Sequence, residues 1–362
     1  MNAVAVTPDG TRAITGSNDH TARVWDLATG VTPHRNLMGH VRKVNSLVLT
    51  ADDTRAITVS DDHTARLWDL ATGTTLHILE GHNSGVIAVA ATPDGTRAIT
   101  GAAYGARLWD LRTGATLYKI GGNGLLAVAV SADGRHALTA SRDCTANVLD
   151  TFTGSEPILR GHRDWVTAIA VTPDGTRAIT GSDDRTARVW DLATGTTVHI
   201  LEGHTGGVSA VVVTADGTRA VTASDDGTAR VWDLAAGATL HVLEGHRWGI
   251  YTVVVTADGT RAVTASADYT ARLWDMATGA TLQTLEGHTG PVTAAAVIPD
   301  GSRAVTTSED KTVRLWNLAT GKQEQVVASA SVATCIQLTQ DSTRTSVIFG
   351  EESGAVTVFV AR

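Results

Sequence analysis

Short apolar blocks alternate along this chain with clusters of turn-forming residues. One stretch of about forty residues holds four such blocks, at Val208–Val213, Arg219–Ser224, Thr228–Leu234 and Thr239–Leu243. The blocks are rich in β-branched residues, which favour strands. Ala215-Asp216-Gly217 and Asp225-Asp226-Gly227 lie between them and have the chemistry of tight turns. No segment between these glycines keeps a helical apolar period, so the pattern predicts four short strands and no helix.

The same pattern recurs along the whole chain. Its third strand carries a tryptophan in seven copies, and Leu149 and Phe359 stand at that place in two others. Consecutive copies lie 40 to 43 residues apart, which is the period of a propeller blade. The tryptophans are Trp25, Trp68, Trp109, Trp190, Trp232, Trp274 and Trp316. The nine repeats that this period predicts are approximately 1–39, 40–80, 81–120, 121–160, 161–202, 203–244, 245–286, 287–327 and 328–362.

Composition narrows the class of protein. The 362 residues carry a formal net charge of -8, which argues against a nucleic-acid partner, because phosphates attract a basic face. Cys144 and Cys335 are too few for a disulfide scaffold and lack metal-ligand spacing, so we expect free thiols in a reducing compartment. No apolar run could span a bilayer and no signal peptide is visible. We therefore expect a soluble cytoplasmic protein without a membrane partner.

Gly-His about 28 residues before Trp-Asp, and Asp six residues before the Trp, resemble the repeat of the WD40 family. The resemblance covers nearly all of the chain and is clear in seven copies. It implies an all-β propeller. Because no linker interrupts the nine repeats, the simplest architecture is a single domain with one closed ring of nine blades, eight of them four-stranded and the last three-stranded. A ring of seven or eight blades, with surplus repeats packed outside or against another copy, is the alternative.

The resemblance also implies a structural role for the recurring polar residues. In each repeat a His, a Ser or Thr, an Asp and a Trp form a hydrogen-bonded tetrad. The complete sets are His40, Asp62 and Trp68; His162, Asp184 and Trp190; His204, Asp226 and Trp232; His246, Asp268 and Trp274; and His288, Asp310 and Trp316. The hydroxyl member is either the threonine four residues before the Asp or the serine two before it. A catalytic set would occur once, so we expect no catalytic residue, no metal and no cofactor.

Two neighbouring repeats depart from this pattern. The third has no turn Asp, because Gly101-Ala102-Ala103-Tyr104-Gly105 is one residue short. The fourth has Gly121-Gly122-Asn123-Gly124 in place of Gly-His and Leu149 in place of Trp. We expect these two blades to be the least well held together. Neutral drift and a docked partner are both possible reasons.

Elsewhere the recurring arginines, among them Arg177, Arg188, Arg219 and Arg230, are predicted to form cross-strand ion pairs.

Aromatic and arginine side chains single out the fifth and seventh repeats. Trp165 and Trp248 are the two tryptophans outside the third strand, and both follow a Gly-His. The loops that carry them open on the face that WD40 relatives commonly use for partners. Such residues anchor protein interfaces, so this face is the predicted partner-binding site. Its residues are Arg163, Trp165, Arg185, Arg247, Trp248 and Tyr269.

The two ends of the chain are irregular. The last repeat keeps three predicted strands, Ala328–Leu338, Arg344–Gly350 and Ala355–Val360, and resembles the closing unit of propellers at the C-terminus of bacterial STAND-type NTPases. Met1 stands where a strand valine stands in other repeats, so we expect a fragment of a longer protein.

These patterns favour a non-catalytic protein-interaction scaffold or sensor module, joined to an effector domain upstream. A propeller that binds a small ligand or glycan is the alternative. The variable turn tips disfavour it, because repeated pockets would need similar residues there.

Overall fold

The computed structural model describes residues 3–6, 12–26, 33–155, 157–298, 300–328, 333–340, 345–351 and 356–361. All regular elements in these ranges are β-strands, so the all-β prediction is confirmed. The side chain of Trp25 and all side chains beyond residue 332, including those of Cys335 and Phe359, lie outside the described part. Within the described ranges, no helix could cross a membrane.

The strands form eight four-stranded sheets and one three-stranded sheet, one for each predicted repeat. Sheets one to three consist of β1 (Ala3–Val6), β2 (Arg12–Gly16), β3 (Ala22–Asp26), β4 (Pro33–Leu37); β5 (Val44–Leu49), β6 (Arg55–Ser60), β7 (Ala65–Asp69), β8 (Thr75–Leu79); and β9 (Val86–Ala91), β10 (Arg97–Ala102), β11 (Gly105–Asp110), β12 (Thr116–Ile120). Sheets four to six consist of β13 (Leu125–Val130), β14 (His136–Ser141), β15 (Thr145–Asp150), β16 (Ile158–Arg160); β17 (Val166–Val171), β18 (Arg177–Ser182), β19 (Ala187–Asp191), β20 (Thr197–Leu201); and β21 (Val208–Val213), β22 (Arg219–Ser224), β23 (Ala229–Asp233), β24 (Ala238–Leu243). Sheets seven to nine consist of β25 (Ile250–Val255), β26 (Arg261–Ser266), β27 (Ala271–Asp275), β28 (Thr281–Leu285); β29 (Val292–Val297), β30 (Arg303–Ser308), β31 (Thr312–Asn317), β32 (Gln323–Ala328); and β33 (Ala333–Gln340), β34 (Thr345–Glu351), β35 (Val356–Ala361).

Each sheet is an antiparallel meander. In seven of the four-stranded sheets, the pairing between the third and fourth strands contains a β-bulge. In the sixth sheet, Val231 pairs with His241 and Trp232 pairs with Thr239, so Leu240 has no partner of its own in the register. A bulge of this kind turns its extra residue away from the ladder. Leu240 is accordingly exposed, as is Leu282 at the same place in the seventh sheet.

The core lies between consecutive sheets. Val221 and Val231 of the sixth sheet form one buried cluster with Trp274 and Met276 of the seventh. The second strand is covered on both faces, since five of the six residues of Arg219–Ser224 are buried. Its buried positions are accordingly filled by small and β-branched residues, and the packing holds the loops at the sheet edges in place.

The structure divides into two compact units. One comprises residues 1–141, 147–156 and 334–362, and the other residues 142–146 and 157–333. In the first unit, β34 lies against β1, in the same way that β2 lies against β5 and β6 against β9. The ninth sheet is therefore a direct neighbour of the first sheet.

The first predicted strand of the last repeat, Ala328–Leu338, begins too early. Ala328 pairs with Thr312 and ends the fourth strand of the eighth sheet, and the next strand begins at Ala333. In the sequence, Val326 to Ala333 are small or apolar residues without a turn signal, so this strand boundary was not visible.

Candidate functional site

Four polar side chains of the sixth repeat meet inside the sheet. Trp232 Nε1 donates a hydrogen bond to Thr222 Oγ1 over 2.8 Å, and Thr222 Oγ1 lies 2.8 Å from His204 Nε2. His204 Nδ1 lies 2.9 Å from Asp226 Oδ2. Thr222, His204 and Trp232 are buried, so the network supplies partners for groups that water does not reach.

The donors and acceptors of this hydrogen-bond network can be assigned one by one. Burial lowers the pKa of His204 below its ordinary value, although Asp226 opposes the shift, so the imidazole is neutral at pH 7. The neutral ring keeps its proton on Nδ1 and donates a hydrogen bond from there to the Asp226 carboxylate, so Nε2 accepts a hydrogen bond from the Thr222 hydroxyl. That hydroxyl oxygen accepts in turn from Trp232. The threonine hydroxyl suits this place because the same oxygen can donate one hydrogen bond and accept another.

The threonine, not the serine, joins His to Trp in every complete set. The serine two residues later makes different contacts, because Ser224 Oγ accepts from the Asp226 N–H and donates to the Gly206 carbonyl. It therefore ties the turn to the loop before the first strand. The same four-residue arrangement occurs in the second, fifth, seventh and eighth repeats, as His40, Thr58, Asp62, Trp68; His162, Thr180, Asp184, Trp190; His246, Thr264, Asp268, Trp274; and His288, Thr306, Asp310, Trp316.

The tetrad carboxylates have all their hydrogen-bond positions occupied. Asp226 Oδ1 accepts from the N–H and hydroxyl of Thr228, and Oδ2 accepts from His204 and from the Thr205 N–H. Although burial opposes it, this set of donors lowers the pKa of Asp226 to about 2. Among the described residues, no group of His, Cys, Asp or Glu side chains has an arrangement that could hold a metal ion.

The two tryptophans outside the strands are exposed, each beside a different partner. The exposed fraction is 43% for Trp165 and 55% for Trp248. The Arg142 guanidinium lies 4.6 Å from the ring centre of Trp165. Tyr269 meets Trp248 edge to face, with ring centres 5.7 Å apart. Both indoles therefore have one covered side and one free side.

Trp165 and Trp248 do not occupy equivalent positions. Trp165 is the third residue after its His and Trp248 is the second. Gly207, which matches Trp165, faces the turn of the preceding repeat, because a Cβ there would lie 2.8 Å from Asp183 Oδ1. Gly206, which matches Trp248, faces the turn of its own repeat, because its Cβ would lie 2.6 Å from the Asp226 nitrogen.

Carboxylates lie between the two indoles. The Trp165 carbonyl accepts from the Asp183 N–H, and Asp183 stands beside Gly207. Asp225 stands beside Gly207 and Gly249, and Gly249 follows Trp248 directly. We call the surface formed by Trp165, Asp183, Asp225, Trp248 and Tyr269 the aromatic–acidic strip. Burial, together with the charges of Asp164 and Asp225, raises the pKa of Asp183, so this strip favours a positive charge.

The three predicted arginines lie in the same loops and turns as the residues of this strip. Arg163 and Arg247 donate their backbone N–H groups to Asp184 and Asp268, and their side chains are exposed. Arg185 and Tyr269 are also exposed and stand at turn tips with φ of 72°, in the left-handed region. The tetrad aspartates thus hold the loops that present all six predicted residues.

Comparison with known families decides what these repeats are. The family model described as WD40, WD domain, G-beta repeat, matches residues 1–26, 31–69, 73–110, 114–150, 155–191, 195–233, 237–275 and 279–317. The chain belongs to the WD40 family. The ninth repeat lies outside the residues that this WD40 model matches.

A designed protein has a similar structure. The crystal structure of the computationally designed Ika8 protein is 27% identical, with a TM-score of 0.73. The match covers 88% of this WD40 chain and 96% of the designed chain. No curated protein matches the chain.

Two WD40 repeats of this chain depart from the tetrad in different ways. In the fourth, Asn147 Nδ2 lies 3.4 Å from Thr139 Oγ1 and donates to the Gly121 carbonyl, which replaces part of the lost network. In the third, Trp109 donates to Thr100 and His82 contacts the same hydroxyl, but the turn supplies no carboxylate.

The four arginines named from the sequence contact main-chain groups, so the cross-strand ion pairs expected for them were wrong. At the position of Arg219 in the eighth repeat, Arg303 does form an ion pair, with Glu324 over 2.9 Å. Arg177 donates to the Leu234 carbonyl, and Arg219 donates to the Met276 carbonyl of the following repeat. Arg230 donates to the Gly203 carbonyl, and the Arg188 guanidinium packs near Gly161 in the same way. A planar guanidinium suits such contacts because it offers five donors.

Sequence reasoning missed Arg142 and the two carboxylates of the strip. Arg142 precedes Asp143 just as Asp183 precedes Asp184, so an alignment of the repeats would have placed it beside Trp165. The position of Arg142 becomes informative only when neighbouring repeats are compared, because Arg142 and Trp165 belong to different repeats.

Proposed function

We propose that this WD40 chain is a non-catalytic interaction module, and that a protein partner binds the aromatic–acidic strip. WD40 repeats generally mediate protein–protein interactions. The observation that carries the proposal is the pair of exposed indoles, Trp165 and Trp248, each supported on one side by a neighbouring side chain.

Support from a neighbour makes an exposed indole a better anchor. Trp, Tyr and Arg are enriched among the residues that dominate interface energies. Ordering a free side chain on binding costs about 0.5–1.5 kcal/mol. Arg142 and Tyr269 limit the motion of the two indoles before a partner arrives, which reduces that cost. Asp183 and Asp225 between them favour a partner segment that carries a lysine or arginine.

The same geometry disfavours acid–base catalysis by the tetrads. A general acid or base works best with a pKa near the operating pH. The tetrad histidines have lowered pKa values, and the pKa of Asp184 is lowered to about 2. Their donors and acceptors also bind one another, so the recurring polar residues serve the scaffold.

We further propose that the module works in the cytoplasm of a bacterium as part of a larger regulatory protein. An upstream effector of the STAND-type NTPase or kinase class would fit the resemblance of the last repeat. Sequencing the native gene upstream of Met1 tests this placement.

The binding proposal is tested with the double variant Trp165→Ala/Trp248→Ala. The immobilised protein captures partners from a cell lysate, and captured proteins are quantified by mass spectrometry. We expect the variant to lose specific partners while its Tm stays within about 3 °C of wild type, because the indoles are exposed. The matched control is Leu76→Ala/Leu282→Ala, which removes two exposed leucines from outer strands and should leave capture unchanged. Unchanged capture by the tryptophan variant, or a large loss of Tm, would refute the proposal.

A further inference from the structure

The third repeat contains a pocket in the place of its missing tetrad member. The pocket has a volume of about 170 Å³. It is lined by Gly81, His82, Asn83, Tyr104, Arg107 and Lys119, among others. His82 is half-buried there, as is His246 in its complete tetrad, whereas the other four tetrad histidines are buried.

A carboxylate fills the equivalent place in five other repeats. In the fifth, Asp184 Oδ2 lies 2.8 Å from His162 Nδ1 and accepts from the Arg163 N–H over 2.9 Å. The position is therefore built to surround one carboxylate with a His N–H and with the backbone N–H of the next residue. In the third repeat, His82 and Asn83 offer the same two donors.

The short turn explains why the third repeat cannot supply this carboxylate. Ala102 pairs with Gly105, so only Ala103 and Tyr104 form the turn, against a longer loop in the fifth repeat. The turn is one residue shorter, and its remaining residues include neither the Asp nor the threonine that follows it in the fifth repeat. Thr100 still contacts His82 Nε2 over 2.7 Å and accepts from Trp109, which leaves the Nδ1–H of His82 as the remaining donor of the ring.

Positive charge has been added at the same place. Lys119 lines the pocket in the outer strand, whereas Ile78, Ile200 and Val242 stand at its position in the second, fifth and sixth repeats. Arg107 is the arginine common to most repeats, but here no tetrad carboxylate balances it. Burial and the charge of Arg107 lower the pKa of His82 to about 4, so the ring is neutral at pH 7 and carries one N–H. Neutral drift that removed the Asp would not by itself explain a lysine at position 119.

We infer that the third-repeat pocket binds a carboxylate group, which takes the place of the tetrad aspartate. The carboxylate accepts from His82 Nδ1–H and from the Asn83 N–H, while Lys119 and Arg107 balance its charge. An acidic side chain of a protein and a small carboxylic acid share this chemistry. The pocket lies in the third repeat and the aromatic–acidic strip in the fifth to seventh, so either site can fail its test while the other stands.

The test titrates sodium acetate into the protein at pH 7 and follows the ¹³Cε1–¹H signals of labelled histidines. Sodium chloride at equal ionic strength is the salt control, and the spectrum of His82→Gln assigns His82. We expect a saturable shift at His82 and none at His162, whose carboxylate is already in place. The absence of a saturable shift, or equal shifts at both histidines, would overturn the proposal.

Two variants and one ligand pair sharpen the result. Lys119→Ile should weaken acetate binding by roughly two- to fivefold, as expected for one partly exposed charge contact. Replacing residues 102–105 with the sequence of residues 182–186 should abolish it, because the graft brings its own aspartate. Unchanged affinity in both variants contradicts the assignment.

N-acetyl-aspartate amide and N-acetyl-asparagine amide distinguish the sources of the carboxylate. Tighter binding of the aspartyl compound than of acetate indicates a protein side chain, and equal binding of these two indicates recognition of the carboxylate alone. Binding of the asparaginyl compound as tight as that of the aspartyl compound overturns the proposal.

Discussion

Trp248 and Tyr269 meet edge to face, with ring centres 5.7 Å apart and ring planes at 80°. Trp248 comes from the loop before the first strand of the seventh repeat, and Tyr269 from the turn after its second strand. Ser266 Oγ donates to the Trp248 carbonyl, so the backbone ties the two segments together as well. The exposed indole is therefore held in one orientation by its own repeat.

The contact between these rings is expected to contribute measurable stability. In a double-mutant cycle with Trp248→Ala, Tyr269→Ala and the double variant, we expect a coupling free energy of about 0.5–1 kcal/mol, the lower part of the range for aromatic pairs, because both rings are exposed. Urea unfolding at pH 7 measures the three differences. Strictly additive effects would mean that the rings do not interact in solution.

The tetrad threonine should matter more than its size suggests. Thr222→Val keeps the shape but removes the hydroxyl that joins Trp232 to His204. Two buried polar groups then lose a partner, and each such loss costs about 1–3 kcal/mol. We expect the free energy of unfolding to fall by about 2–4 kcal/mol in urea titrations.

Thr222→Ser is the matched control for this change. It keeps the hydroxyl and loses one methyl group, so its cost should be about 1 kcal/mol. If the serine variant were as unstable as the valine variant, packing of the methyl group would explain the loss and the hydrogen-bonded chain would not.

The free energy of unfolding should decrease in two stages as the pH is lowered. Burial lowers the pKa of the tetrad histidines from 6.5, so the unfolded chain binds more protons as the pH falls below about 6.5, and this favours unfolding. The pKa of Asp62, Asp184, Asp226 and Asp310 is lowered from 3.8 to about 2, so a second loss follows between about pH 4 and pH 2. Urea midpoints between about pH 7.5 and pH 2 measure both losses, and a midpoint unchanged from about pH 7 to pH 4 would contradict the first stage.

Strands within one repeat could be predicted from the sequence because their signals are local. The predicted limits Val208–Val213 and Arg219–Ser224 agree with the structure, since turn residues and apolar alternation lie inside a dozen positions. The choice between Thr222 and Ser224 could not be made in this way. Both hydroxyls lie two residues apart on the same face of one strand, and only depth in the sheet decides which one reaches Trp232.

Contacts between repeats were harder to predict. Arg142 stacks on Trp165 although neither residue looks unusual in its own segment. The arginines show the same difficulty: Arg177 reaches the Leu234 carbonyl 57 residues later, a partner that carries no side-chain signal in the sequence. Such contacts depend on which sheets are neighbours, and a main-chain acceptor leaves no trace in composition.

Gly105, in the tight turn of the third repeat, has φ of 120°. Few residues other than glycine adopt this backbone conformation, and a Cβ at Gly105 would lie 2.3 Å from the Ile120 carbonyl oxygen. Gly105→Ala should therefore destabilise the protein by about 2–4 kcal/mol, combining strain with a clash that no rotamer relieves.

Gly217→Ala is its control, because Gly217 has φ of 69° and a Cβ there would come no closer than 3.4 Å to Pro173. Its cost should be about 1 kcal/mol, the left-handed conformation alone. Thermal unfolding of the two variants side by side separates strain from collision. Equal losses would show that the third-repeat turn can relax away from Ile120, and the pocket beside it would then not be fixed in shape.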